Sequence, residues 1–234
     1  VTDLRTPPVD DGELFSARAR QYARERPLHR IHVLEAGCGW GPGLDLGDRD
    51  HLVTGVDMEA PELRARTLER TDLDDWHLGD LRTVPLPPRA FDVVHASYLI
   101  ERVPHAELVL DRFVAALKPG GLLLVRLRDR DTAFGFLDRT LPGPLRGGAP
   151  AHDAPPPAVY DRVASRAGMR WYCAMRGLVI AEEHTARRPL AAAAGRGESL
   201  CRLVALASRG RLTAAHSELA LVIRKPENRF ARVI

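Results

Sequence analysis

The chain has 234 residues, 45% hydrophobic and 28% charged, which suits one domain with a sizeable core, and its mildly basic formal charge of +3 decides little about partners. No apolar run of ~18 residues is present to span a bilayer, and the amino end lacks a basic-then-apolar leader, so the expectation is a cytoplasmic protein. Three scattered cysteines, Cys38, Cys173 and Cys201, exclude a disulfide framework or a paired zinc motif, and aromatics at 6% argue against a stacking platform for nucleic acid.

In chain order, residues 11–26 form an amphipathic helix with Leu14, Phe15, Ala19 and Tyr22 at helical spacing, ended by Pro27. It reads as a helix packed on the sheet edge, as a lid over the cofactor, or as both, and residues 1–29 are assigned to the lid. A strand over 31–34 then breaks into a loop carrying Gly37, Gly39 and Gly41. Glycines there let the backbone turn sharply and lie against a ligand with no Cβ in the way. Asp57 closes a second apolar run roughly 20 residues later, where a carboxylate takes a ribose hydroxyl. The spacing is G-x-G-x-G, with Pro42 where a dinucleotide binder has its third glycine, so a pyrophosphate is disfavoured.

The first crossover helix, around Leu44-Asp45-Leu46, is little more than a turn between Gly43 and Gly47. Leu78-Gly79-Asp80-Leu81 sets a second acid at the end of a third strand, with Trp76 nearby, and residues 91–97 read as a buried fourth strand. Val109, Leu110, Phe113, Val114 and Leu117 share one face of a helix over 106–117, and Pro119-Gly120-Gly121 turns it into a fifth strand. Arginines 126, 128, 130 and 139, interleaved with Asp129, Asp131 and Asp138, read as a solvated face. Proline and glycine break up residues 130–157, although Phe134, Phe136 and Leu137 need something to bury against. A helix over 160–173, a strand over 178–181, a helix over 200–207 and a last strand over 219–223 complete the pattern.

These elements, in this order from about Arg30 to Arg126, resemble the class I S-adenosylmethionine-dependent methyltransferases, in particular bacterial enzymes of small-molecule and natural-product metabolism. The arginine-for-lysine usage suggests an actinobacterial source. The resemblance implies an α/β fold: a doubly wound, Rossmann-like, seven-stranded sheet, mostly parallel with an antiparallel C-terminal strand and helices on both faces. It implies a single domain over 1–234, with a cofactor-binding core over 30–129, a substrate-side insertion over 130–157 and the rest of the core over 158–234. S-adenosylmethionine is the implied cofactor, with no metal. Glu35, Gly37, Cys38, Gly39 and Trp40 match the motif for its methionine part, Asp57 and Met58 the ribose site, and Asp80 and Leu81 the adenine site. Ser97 and Tyr98 lie at the fourth strand's carboxyl end.

A methyl on a sulfonium is already activated, so alignment and water exclusion supply much of the catalysis. A base is needed only for an acceptor that keeps its proton. The candidates are Tyr98, Glu101 and His95. Glu101-Arg102-Val103 stands where many relatives have Glu-His-Val, which removes a familiar base; His105, His152 and His184 read as surface residues. His95 reads first as a satisfied core residue, and Cys38 as packing. The acceptor expected is a small molecule, methylated on oxygen, with a homodimer left open. Neither nucleic acid nor membrane is favoured: the Asn/Asp/Ser-Pro-Pro-Tyr/Phe signature of nucleic-acid amino methylation is replaced by Ala96-Ser97-Tyr98-Leu99. A nucleic-acid enzyme, a non-catalytic cofactor-binding regulator and an NAD enzyme are the alternatives.

Overall fold

The computed structural model describes residues 11–41, 43–140, 158–187 and 196–227. Seven strands form one sheet in the order β3-β2-β1-β4-β5-β7-β6. They are β1 Ile31–Ala36, β2 His51–Asp57, β3 Asp75–Leu78, β4 Phe91–Ser97, β5 Leu117–Arg128, β6 Val179–Ala186 and β7 Glu218–Arg224. β1 to β5 pair in parallel, and β7 runs antiparallel to both β5 and β6. The strand order reverses between β1 and β4, which opens a crevice at their carboxyl ends, the usual ligand position in such sheets.

Strand residues alternate between two apolar layers. Leu34, Ala36, Val94, Ala96, Leu123, Val125, Leu127 and Leu221 face one layer, covered by α3 (Ala106–Ala116) and α5 (Arg166–Arg176). Ile31, Val33, Val93, Leu122, Leu124, Ala220 and Val222 face the other, covered by α1 (Asp11–Arg24). α2 (Pro61–Glu69), α4 (Ala133–Thr140) and α6 (Arg196–Ala207) complete the described helices.

The described residues show α1 packed on the sheet. Leu14, Phe15, Ala19, Tyr22 and Ala23 are buried on the sheet. Asp92 pins the helix at the amino end of β4: its carboxylate accepts from Tyr22 Oη at 3.3 Å, the His32 amide at 3.0 Å and Lys118 Nζ at 2.6 Å. Burial, with Asp92 beside it, raises the Tyr22 hydroxyl to about 12. Arg18 also pairs with Glu182 of β6. Lifting α1 would strip an apolar layer and break these bonds. Residues 1–10 of the expected lid lie outside the described residues.

Several boundaries move. No helix forms among the described residues between β1 and β2; Leu46 instead buries beside α1 from an irregular segment. The turn at 117–121 lies within β5 as a bulge, with Phe91 paired to Leu117 but Val93 to Leu122, and Gly120 has φ +78°. The stretch expected to be broken from residue 130 onward carries α4, which buries Ala133 and Leu137 but leaves Phe134 half-buried and Phe136 exposed. The rest of the expected insertion, 141–157, lies outside the described residues, as does His152. The helix expected over 160–173 starts at Arg166, because Tyr160 is left-handed (φ +54°) and Ser165 caps α5 by accepting from the Gly168 amide at 3.0 Å.

Candidate active site

The carboxyl end of β1 builds the first half of the site. Gly37 (φ +84°) and Gly41 (φ +92°) turn the chain through the left-handed region that side chains avoid. Gly39 is needed for another reason: a Cβ there would lie 2.9 Å from Leu63 Cδ2 and 3.1 Å from Asp57 Oδ2. Its amide donates to Asp57 Oδ2 at 2.9 Å, and the Met58 amide donates to Oδ1 at 2.7 Å. Asp57 is 1% exposed and burial raises its pKa, while the two amides favour the charged form and pull the pKa back. Each carboxylate oxygen keeps acceptor capacity, so two further donors fit.

Glu35, the penultimate residue of β1, lies opposite His95 of β4, and its Oε1 is 2.7 Å from His95 Nδ1, with both side chains buried. The Phe15 ring meets His95 edge-on, with centroids 5.5 Å apart. Glu35 Oε2 and Trp40 Nε1 are buried with no hydrogen-bond partner. The Arg66 guanidinium covers the Trp40 ring at 4.1 Å. Cys38 is buried, its Sγ 3.8 Å from Thr67 Oγ1, and burial pushes its thiol to about 11, so it is no thiolate at neutral pH.

Asp80 lies two residues beyond β3, exposed, and accepts a bidentate pair from Arg82 at 2.9 and 2.7 Å that holds its carboxyl at about 2. Leu81 beside it is buried. These residues form an arc at the carboxyl ends of β1, β2 and β3.

The second half lies across the crevice. Ser97 ends β4, and Tyr98 follows with φ +53°, its amide donating to the Arg126 carbonyl at 2.7 Å. Tyr98 Oη donates to Glu218 Oε2 at 2.8 Å, and Arg126 donates to the same oxygen at 2.6 Å from above the Tyr98 ring. Arg128 Cζ is 6.0 Å from the centre of the Tyr98 ring and 5.8 Å from that of Phe134. Glu101 is wholly buried, and neither side-chain oxygen has a hydrogen-bond partner. Burial raises it to about 7; Arg102 and Arg128 pull it back, as do nearby backbone amides that fall short of hydrogen-bond geometry.

The three candidate bases therefore differ in standing. His95 is engaged with Glu35 and Phe15. Tyr98 spends its proton on Glu218. Glu101 is brought under the same crevice without access to it.

Sequence reasoning missed two features. One is Arg70, whose Nη1 donates to the carbonyls of Cys38 at 2.9 Å and Gly41 at 3.1 Å while Asp72 holds its other edge at 2.5 and 2.6 Å. Asp72, by holding Arg70, thus anchors the glycine loop. The other is the end of β5. Arginines 126 and 128 do not form a solvated face: Arg126 is 8% exposed and Asp129 2%. The period-two spacing of these arginines was the available signal, since it puts both on one face of a strand. Among the described residues no group of His, Cys, Asp and Glu is placed to hold a metal, and no helix is long and apolar enough to cross a membrane.

A glycine cradle, a buried acid at the end of β2 and a crevice at a reversal of strand order define a doubly wound nucleotide-type site. Residues 34–125 match the methyltransferase domain family, and this stretch is homologous to S-adenosylmethionine-dependent methyltransferases, for which S-adenosylmethionine is the methyl donor. A probable S-adenosylmethionine-dependent methyltransferase of Mycolicibacterium smegmatis is 35% identical over 137 residues, 56% of this chain and 52% of that protein. The trans-aconitate 2-methyltransferase of Paracidovorax citrulli is 31% identical over 123 residues, 45% of this chain and 46% of that one. The chain thus spans about half the length of the curated relatives it matches. Among solved structures, the [4+2]-cyclase SpnF superposes with a TM-score of 0.55 at 16% identity, covering 97% of this chain and 85% of that one, a likeness of fold alone.

Proposed function

We propose that this chain transfers a methyl group from S-adenosylmethionine to an oxygen of a small-molecule acceptor held at the carboxyl ends of β4 and β5. The observation that carries the reading is the pair of buried orphans beside the glycine cradle, Glu35 Oε2 as acceptor and Trp40 Nε1 as donor. Such atoms are costly unless something completes them, and an amino-acid tail with an ammonium and a carboxylate offers both kinds of partner. Glu35, the loop over 37–41 and Trp40 would hold that tail. Asp57, whose remaining acceptor capacity suits two hydroxyls, would hold the ribose, and Asp80 with Leu81 the adenine once Arg82 yields its carboxylate. When bound, the cofactor supplies a methyl on a positively charged sulfur.

The chain's own residues then have limited tasks. The carboxyl ends of β4 and β5 orient the acceptor. Tyr98, Arg126 and Glu218 fix the wall it rests on. The apolar layers on both faces exclude water. The name of the trans-aconitate relative is consistent with a small acceptor.

The test is calorimetric titration of the purified chain with S-adenosylmethionine, S-adenosylhomocysteine and NAD. Micromolar binding of the first two without NAD is the expected result. Binding of NAD alone would withdraw the assignment.

A further inference from the structure

Arg128 is held unlike the arginines around it. It sits at the carboxyl end of β5, two residues past the last rung shared with β4, where Ser97 meets Arg126. Side chains alternate along the strand, so Arg128 shares a face with Arg126. This is also the face of Glu35 and His95, because Leu122 and Leu124 of β5 and Val93 of β4 lie in the α1 layer. Arg126 is committed to Glu218 at 2.6 Å. The Arg128 guanidinium donates no hydrogen bond to any described residue; it forms a loose ion pair at 3.6 Å with Asp138, whose carboxylate already accepts from Tyr160 Oη at 2.6 Å. The rings of Tyr98 and Phe134 lie near its guanidinium, and 29% of its side chain stays open. Rings stabilise the cation without using its N–H donors. What remains is a planar fork of donors, braced by aromatics and accessible, at the acceptor end of the crevice. That geometry suits a carboxylate.

We propose that the acceptor is a carboxylic acid whose carboxylate docks on Arg128 and is itself the group methylated. This rests on the methyl-transfer reading above. It also asks nothing of the candidate bases, because a carboxylate acceptor has already lost its proton. A carboxylate oxygen forms the new C–O bond with its own lone pair, the C–S bond breaks with its electrons left on sulfur, and no proton moves. The product is a neutral ester, which the guanidinium binds less well than the acid.

The experiment uses the full chain and three acids, benzoate, trans-cinnamate and succinate, each beside its carboxamide. Binding is measured by calorimetry with S-adenosylhomocysteine present, and transfer with methyl-labelled S-adenosylmethionine. Methyl esters release labelled methanol in mild alkali; ethers and N-methyl products do not. The expected result is binding of at least one acid in preference to its amide and base-labile label on that acid. Arg128→Met should weaken acid binding by about tenfold to a hundredfold, the scale of a lost charged hydrogen bond, with S-adenosylhomocysteine affinity retained as the check on folding. Arg128→Lys should recover part of it. Equal binding of acids and amides, no binding of any acid, label only in base-stable products, or an Arg128→Met variant that binds acids normally would each overturn the proposal. Failure of the wild-type chain to bind S-adenosylmethionine would instead sink the methyl-transfer reading, and that titration is run separately.

Discussion

The Arg70 guanidinium donates to the Cys38 carbonyl at 2.9 Å, tying the residue after α2 to the middle of the glycine loop. A loop built from glycines gains its freedom at the cost of order, and something outside it must fix the curve. Arg70 does so through two carbonyls, and Asp72 holds Arg70 in turn. This replaces part of the rigidity that a longer first crossover helix would give.

Arg70→Ala should therefore weaken S-adenosylhomocysteine binding by about tenfold, about 1.4 kcal/mol, through loop order and not through ligand contact. Arg70→Lys should recover little, since one ammonium cannot span two carbonyls and Asp72 together. Calorimetry of both variants checks this, and an unchanged dissociation constant for Arg70→Ala would show that the loop holds its shape unaided.

Asp57→Ala combines two losses. It deletes the proposed ribose acceptor and leaves the Gly39 and Met58 amides without their partner in a buried setting. Each orphaned donor costs about 1–3 kcal/mol. The melting temperature should fall and S-adenosylhomocysteine affinity should drop by more than an order of magnitude. A variant that lost affinity at full thermal stability would place Asp57 in ligand contact alone; one that lost neither would remove it from the site.

Glu101 gives the fold a pH signature. Its carboxyl is raised from 4.5 to about 7, mainly by burial. Below pH 4.5 the group is protonated in both folded and unfolded chains. Between there and about 7 the unfolded chain has released a proton that the folded one retains, so stability falls as pH rises, by about 1.4 kcal/mol per unit, and then levels. Glu101→Gln should remove that fall. Its melting temperature should gain on wild type between pH 5 and pH 8, by about 2–4 °C per kcal/mol for a chain of this size. Parallel melting curves across that range would mean that Glu101 ionises freely in the fold.

Most of the sheet was readable because buried parallel strands carry unbroken apolar runs, and the glycine loop and Asp57 stand at their ends. The boundaries that moved are where local signals compete with tertiary contacts. Proline and glycine density from residue 130 onward hid α4, which forms because Ala133 and Leu137 find buried positions. The 160–173 pattern hid a left-handed Tyr160 whose hydroxyl is held by Asp138. Arg128 was counted as solvated because composition alone does not say which arginines already have partners. Arg70 carried no signal at all, since an arginine that binds carbonyls 29 and 32 residues away leaves no spacing rule behind.

His95 separates support from chemistry. Its Nδ1 is the single described hydrogen-bond partner of the Glu35 side chain, whose other oxygen already lacks one. His95→Phe would keep the ring against Phe15 and leave both Glu35 oxygens orphaned, so the expected result is a loss of about 1–3 kcal/mol of stability with weaker S-adenosylhomocysteine binding. A double variant, Glu35→Leu with His95→Phe, should be no less stable than His95→Phe alone, because the pair acts as a unit. A His95→Phe protein with wild-type melting and cofactor affinity but no turnover would instead make His95 a base, and Glu35 the residue that orients it.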